Sequence, residues 1–199
     1  MIILDCEQLS EEWRAARGGI PTASCFDKII TTKGEPSKQA EKYLNQLAGE
    51  RVSGTTEEGF KSAYMNRGNE VEAEAREFYE LITDSVVQKV GICYANEDKK
   101  YSCSPDGLVG EDGGIQIKCP SMAVHVGYLR DNKLPMDYFQ QVQGELFVTG
   151  RKWWDFISYY PGIKPLIVRV ERDEKFIKAL EIELEVFCKQ LEEVVERIK

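Results

Sequence analysis

The chain has 199 residues, of which 34 are acidic and 26 basic, and a formal charge of −8. Hydrophobic residues make up 42 %, enough to build a core and too many for an intrinsically disordered chain. No apolar run approaches the roughly 18 to 20 residues of a membrane span. The acidic balance excludes a protein that coats nucleic acid by bulk charge, but not a nucleic-acid enzyme whose carboxylates hold metal ions.

The first residues, Met-Ile-Ile-Leu-Asp-Cys-Glu, lack the basic run of a secretory signal. The six cysteines, Cys6, Cys25, Cys93, Cys103, Cys119 and Cys188, form no C-x-x-C pair, and His125 is the one histidine. Zinc-finger and iron–sulfur readings have no support in that spacing, and reduced, mostly buried thiols in a cytosolic protein are expected. Only residues 151–170 carry a net positive charge, +3.

Residues 9–17, with Leu9, Trp13 and Ala16, predict a short amphipathic helix ended by Gly18-Gly19. Pro21-Thr22-Ala23-Ser24 turns into a second helix. Residues 36–52 predict a helix with Tyr43, Leu44, Leu47 and Ala48 inward, and 53–56 a loop. In 67–82, Val71, Ala75, Phe78 and Ile82 mark the buried stripe of a strong helix. The period then changes. Residues 86–94, 100–103 and 107–110 predict strands, and Gly113-Gly114 predicts a turn into a further strand at 115–119, which together make a β-meander. Residues 136–149 return to helix, 153–160 and 165–170 predict two more strands, and 173–198 close as a long helix. In that last helix Ile177, Leu180, Leu184, Phe187, Leu191, Val194 and Ile198 form a heptad seam that either docks on the chain's own core or makes an oligomer contact. The expected class is α/β or α+β around a mixed sheet flanked by helices, one domain over 1–199 with 171–199 as a helical extension.

The chemistry gathers at Ser104-Pro105-Asp106-Gly107. Pro-Asp-Gly alone is an ordinary turn. Strand alternation, however, puts Gln116 and Lys118 on one face of the following strand, and pairing across the turn brings Asp106 near both. A carboxylate, an oxygen-bearing side chain and a lysine at one sheet edge suit phosphodiester hydrolysis with hard divalent ions such as Mg²⁺. A third ligand is expected from the 67–82 helix. At about 100° per residue from Val71, Glu72 lies at about 100°, on the flank of the buried stripe, whereas Glu70 and Glu77 face solvent.

The pattern Pro105-Asp106, spacer, Gln116-Ile117-Lys118 resembles the PD-(D/E)XK nuclease superfamily. Trp13-x3-Arg17, the Ile20-to-Ser24 turn, Gly68-x3-Glu72, 103–108, 114–120, Gln141-Val142-Gln143 and 172–175 are similar, in order, to the bacteriophage lambda exonuclease and YqaJ-type viral recombinase family. The resemblance covers nearly the whole chain. Each motif is weak by itself; the set is specific. It implies a restriction-endonuclease-like core and a 5′-to-3′ exonuclease on double-stranded DNA ends. Two Mg²⁺ ions, with Mn²⁺ as a substitute, would serve it, and its 3′ single strand would pass to a single-strand-annealing recombinase in homologous recombination. It further implies a ring-shaped homotrimer around DNA, and a phage or prophage protein in the bacterial cytoplasm, away from membranes. By position, Asp106 is the bridging metal ligand, Glu72 binds one ion, the Ile117 carbonyl completes the shell, and Lys118 serves the attacking water. Arg17, Ser24, Ser104 and Gln141 would hold the 5′-terminal phosphate, and Met65 would be the apolar wedge that splits the end base pair.

One position departs. The family has glutamate where this chain has Gln116, and an amide offers no charge and one good ligand oxygen instead of two. Weak metal occupancy and a large loss of activity are expected. The change is the isosteric one chosen to trap a DNA complex, which favours an inactivated or weakened form over natural variation with Glu72 and Asp106 sustaining partial activity. The rival functions are an endonuclease or cluster-bearing nuclease of the same superfamily, and a non-catalytic DNA-end-binding module. Bland roles stand beside the sharp ones. Arg17 could cap its helix, Gln141 and Gln143 could be surface polar residues, and His125, without an evident partner, is expected to be structural. Trp153-Trp154 is expected to be core strand, not a base-stacking platform.

Overall fold

The computed structural model describes residues 1–56 and 63–199, the side chains of 63–70 excepted. A short strand β1 (Ile2–Leu4) precedes helix α1 (Glu11–Arg17) and a 3₁₀ segment at Ala23–Lys28. Helices α2 (Ala40–Ser53) and α3 (Ala63–Thr83) follow. Next come β2 (Val87–Gln88), β3 (Ile92–Tyr94), β4 (Ser102–Cys103), β5 (Gly107–Val109) and β6 (Gly113–Lys118). The chain then runs through α4 (Met122–Asp131), a 3₁₀ turn at Met136–Tyr138, α5 (Phe139–Thr149), β7 (Trp153–Ser158), β8 (Leu166–Glu171) and α6 (Glu174–Ile198).

The strands form two sheets, ordered β1-β3-β4 and β2-β5-β6-β7-β8. The second sheet is mixed, because β6 and β7 run parallel while its other neighbours are antiparallel. A parallel pair needs a crossover, and α4 and α5 supply it. The expected class therefore stands, but the expected meander does not. Strand β3 pairs with β1 and β4, and β2 pairs with β5 instead. Local pattern marks strands, whereas their partners are set by distant segments, here the N-terminal β1.

The turn between β5 and β6 also differs. It lies at 110–112, where Gly110 adopts φ 53°, and Gly113 and Gly114 are inside β6. These two glycines sit in parallel register with Trp153 and Trp154. A Cβ at either would overlap the facing indole ring, so both are needed for close approach of strands rather than for a turn.

Helix α4 was not foreseen. Its Met122, Val124 and Val126 are exposed while His125 is fully buried, so the helical period carries no clean apolar stripe. His125 has partners after all: Ser158 Oγ at 2.8 Å and the Lys164 carbonyl at 3.0 Å. They make it a structural bridge from α4 to β7 and the 159–165 loop.

The heptad seam of α6 docks on the chain's own core. Phe176, Ile177, Leu180, Leu184, Phe187 and Leu191 are buried, and Phe187 stacks on Tyr43 of α2 with centroids 5.7 Å apart. The seam drifts at its end, where Val195 is buried and Ile198 is half exposed, as expected of a helix that is not supercoiled. Asp173 caps α6 by accepting from the Phe176 N–H. Gln143 accepts from the Asp173 N–H and donates to the Glu171 carbonyl, both at 2.9 Å, a structural clamp rather than a surface residue.

The stripe on α3 is shorter than expected. Ala75 and Tyr79 are buried in a cluster with residues of β5, β6 and β7, but Ile82 is 49 % exposed. Trp154 is fully buried in the larger core cluster, as a core strand requires, and Trp153 packs at the edge of the smaller one. All six thiols are free. Among the described residues no helix is long and apolar enough to cross a membrane.

Candidate active site

Strand β6 returns beside β5 with Ile115 opposite Gly107, which brings Asp106 against the middle of β6. The Ile117 N–H donates to Asp106 Oδ2 at 2.6 Å, and the Gln116 side-chain amide donates to the same oxygen. That amide also reaches the Ile117 carbonyl at 3.4 Å. Its NH₂ group thus lies between a carboxylate oxygen and a backbone carbonyl. Ile115 and Ile117 point to the smaller core cluster, and alternation sends Gln116 and Lys118 to the opposite face. Lys118 Nζ lies 5.1 Å from the Tyr138 ring centroid.

Helix α3 supplies the next two groups. Glu72 accepts from Arg76, one turn on, at 2.6 Å. Arg76, itself buried, also donates to the Asp106 carbonyl at 3.3 Å. One guanidinium therefore ties Glu72 to the backbone of Asp106. The sequence reading missed Arg76. Its spacing of four from Glu72 was the available signal.

A second corner is built by α1 and the turn after it. The Arg17 guanidinium lies 4.1 Å from the Trp13 ring centroid and donates to Thr22 Oγ1 at 3.1 Å and Ser24 Oγ at 3.3 Å. Trp13 Nε1 donates to Ser104 Oγ at 3.0 Å. Arg17 lies in the last turn of α1 and directs its guanidinium to the Thr22 and Ser24 hydroxyls. Stacking and two hydroxyls hold it in place, an arrangement suited to gripping an anion bidentately. Burial lowers its pKa from the ordinary arginine value.

Helix α5 closes the far side. Gln141 Nε2 donates to Gln116 Oε1 at 2.5 Å and to Glu145 Oε1 at 3.0 Å. Glu145 is 1 % exposed, and its Oε2 has no hydrogen-bond partner. The sequence reading missed this residue too. It is the one charged side chain in α5, four residues from Gln141, and that was the signal.

These groups line one cleft of about 900 Å³, which includes Arg17, Ser24, Glu72, Ser104, Asp106, Gln116, Lys118, Gln141, Arg76 and Glu145. The expected site residues therefore come together, with Ile117 adjacent in β6. The exception is Met65, whose side chain lies outside the described residues.

Burial governs the electrostatics. It pushes Asp106 up to about 7, with Glu72 adding to the rise, while Lys118, the Ile117 N–H and Arg76 pull it down. Burial also raises Glu145 well above the carboxylate range, reinforced by Asp106 and opposed by the Gln141 hydrogen bond and Lys118. Two desolvated carboxyls in one cleft disfavour their charged forms unless a cation joins them. Asp106, Glu72, the Ile117 carbonyl and the Gln116 amide oxygen are hard donors of the kind Mg²⁺ takes, so the donor chemistry fits such an ion. Among the described residues, no three His, Cys, Asp or Glu side chains gather as a ready cage. Glu72 is turned to Arg76, and an amide holds the third place.

Residues 12–152 match the YqaJ-like viral recombinase domain. The structure superposes on LHK-Exo, an alkaline exonuclease from Laribacter hongkongensis, with a TM-score of 0.86 and 35 % identity over 95 % of this chain and 96 % of that one. The same exonuclease has been solved with dAMP; there the TM-score is 0.86 and the identity 34 % over 96 % of both chains. A phage related exonuclease from Haemophilus somnus 129PT shares the fold, with a TM-score of 0.70 and 15 % identity over 90 % of this chain and 96 % of that one. No curated protein matches the sequence. The match over 12–152 and the identity to LHK-Exo make this chain a member of the YqaJ-like viral recombinase domain family, with the fold of the alkaline exonucleases.

Proposed function

We propose that the chain is a Mg²⁺-dependent exonuclease that degrades one strand of double-stranded DNA from its 5′ end. The observation that carries this reading is the union, in one cleft, of an anion corner with a carboxylate–lysine group. Arg17, Ser24 and Ser104 form the first; Asp106, Glu72 and Lys118 form the second. Their chemistry matches the two ends of one terminal nucleotide.

Arg17, with Ser24, Ser104 and Gln141, holds the 5′-phosphate. Asp106, Glu72, the Ile117 carbonyl and the Gln116 amide oxygen would hold the metal. When bound, it polarises the next phosphodiester and lowers the pKa of a coordinated water. Lys118 orients that water and offsets negative charge in the transition state. Attack at phosphorus breaks the bond to the 3′-oxygen of the terminal nucleotide, which leaves as a 5′-mononucleotide. The shortened strand keeps a new 5′-phosphate for Arg17. The undegraded strand becomes a 3′ overhang, the substrate of a single-strand-annealing recombinase. A homotrimeric ring around DNA, in a bacterial cytoplasm, completes the proposal. Gln116 leaves the metal cage one charge short on β6. Weak occupancy and low activity follow unless another element supplies the charge.

The test is degradation of linear duplex DNA with either end 5′-phosphorylated, in Mg²⁺ and with Mn²⁺ as the alternative ion. Release of 5′-mononucleotides from the phosphorylated end, lost in Asp106→Ala, is expected. Attack from 3′ ends, or cleavage of closed circular DNA as an endonuclease would give, overturns it. The Gln116 amide favours one second reading, a DNA-end-binding protein without catalysis. Metal-dependent binding of ends with no cleavage in Mg²⁺ or Mn²⁺ would establish that instead.

A further inference from the structure

Glu145 has an environment that its packing does not explain. It sits on α5 among buried apolar residues, Leu146, Val142 and Val148, at 1 % exposure. One carboxylate oxygen accepts from Gln141 at 3.0 Å, and the other, Oε2, is fully buried and has no partner. A carboxyl left half satisfied in a core is costly, and a leucine or methionine there would remove that cost. No arginine or lysine pairs with Glu145 among the described residues.

The same side chain faces the cleft beside the position where the cage lacks a charge. A single amide, Gln141 Nε2, touches both Gln116 Oε1 and Glu145 Oε1. The Gln116 carboxamide in turn presents its NH₂ to Asp106 and to the Ile117 carbonyl. That NH₂ is a hydrogen-bond donor held between two oxygens, and a small cation would satisfy the same oxygens. With a cation there, Gln116 must rotate its oxygen inward and its NH₂ toward Gln141. Glu145 then stands one hydrogen-bonded amide away, through Gln141.

We infer that Glu145 of α5 supplies the negative charge of the divalent-cation site that Gln116 of β6 does not, with its unpartnered Oε2 as the oxygen offered to the ion. The inference rests on the metal-dependent nuclease reading above. It gives the ion Asp106 from the entry to β5 and Glu145 from α5, which among the described residues form no ready cage with Glu72, and it makes Gln116 a native partner of Glu145 instead of a defect.

The test is binding of Mn²⁺ alone, followed by the electron paramagnetic resonance signal of the free ion, without DNA. Relative to the unaltered chain, Glu145→Gln is expected to weaken Mn²⁺ binding about 10- to 100-fold. The double variant Gln116→Glu/Glu145→Gln, which moves the charge to β6, is expected to recover it. Thermal melting in chelator checks the fold: a metal-directed Glu145 leaves the melting temperature of Glu145→Gln equal or higher, whereas a purely structural one lowers it. If that variant does not fold, Glu145→Asp, which keeps the charge but withdraws it by one methylene, must also weaken binding. Unchanged Mn²⁺ affinity in Glu145→Gln, with affinity lost in Asp106→Asn, overturns the inference and leaves the nuclease reading standing. No Mn²⁺ binding by the unaltered chain overturns both.

Discussion

The Ile117 N–H and Asp106 Oδ2 lie 2.6 Å apart, so the backbone of β6 holds the carboxylate that precedes β5. The bond fixes one oxygen of Asp106 and leaves the other for the cleft. Asp106→Asn keeps the shape and removes the charge. Nuclease activity in Mg²⁺ is expected to fall about 10³-fold, the several kcal/mol of charge stabilisation that a bound ion supplies. Urea denaturation in chelator should show no loss of stability. A variant that stays active would remove Asp106 from the catalytic group.

Burial gives Asp106 a pH signature. Its carboxyl rises from 3.8 to about 7 on folding, so between those values the folded chain binds more protons than the unfolded one. Its contribution to stability is fully present below the unfolded value and is lost as pH rises through about 7. Glu145, raised by the same cause, acts in the same direction. Melting temperature in chelator is expected to fall from pH 5 to pH 8, with a shallower slope in Asp106→Asn. Equal slopes in the two proteins would contradict the burial.

Arg17 tests the anion corner. Arg17→Ala removes a stacked cation that bonds Thr22 and Ser24. Charged hydrogen bonds are worth about 1.5 to 3 kcal/mol, so the preference for 5′-phosphorylated over 5′-hydroxyl duplex should drop by roughly 10- to 100-fold. The rate on 5′-hydroxyl ends should change little. Parallel loss on both substrates would point to a general fold defect.

Two core substitutions separate packing from chemistry. Gly114→Ala drives a methyl into the Trp154 ring and is expected to cost about 1 to 3 kcal/mol. Leu184→Ala opens the α6 seam, where Leu184 is fully buried, and should cost about 2 to 5 kcal/mol. Urea denaturation measures both. A negligible effect of Leu184→Ala would mean that α6 docks elsewhere in solution.

Several features are legible in the sequence. Alternation along 115–119 places Gln116 and Lys118 on one face, and a turn ahead of that strand brings Asp106 to them. The period of α3 singled out Glu72 over Glu70 and Glu77. Charge was harder to read. In the one basic stretch, 151–170, three of the four cations bond within the fold. Arg151 bonds the carbonyls of Val109, Gly110 and Gly113, Lys152 pairs with Asp112, and Arg169 pairs with buried Asp155.

By itself the sequence determined what depends on neighbours along the chain: helix faces, strand alternation, and the motif that carries Asp106, Gln116 and Lys118. Tertiary structure alone decided what depends on segments that meet only after folding. Strand β3 left the meander for β1, Gly113 and Gly114 became contact points for two indoles, and Arg17 reached Ser104 through Trp13. Above all, it brought Glu145 of α5 and Gln116 of β6 to the same Gln141 amide. Periodicity reports which face is buried, but not which distant polar group is waiting there.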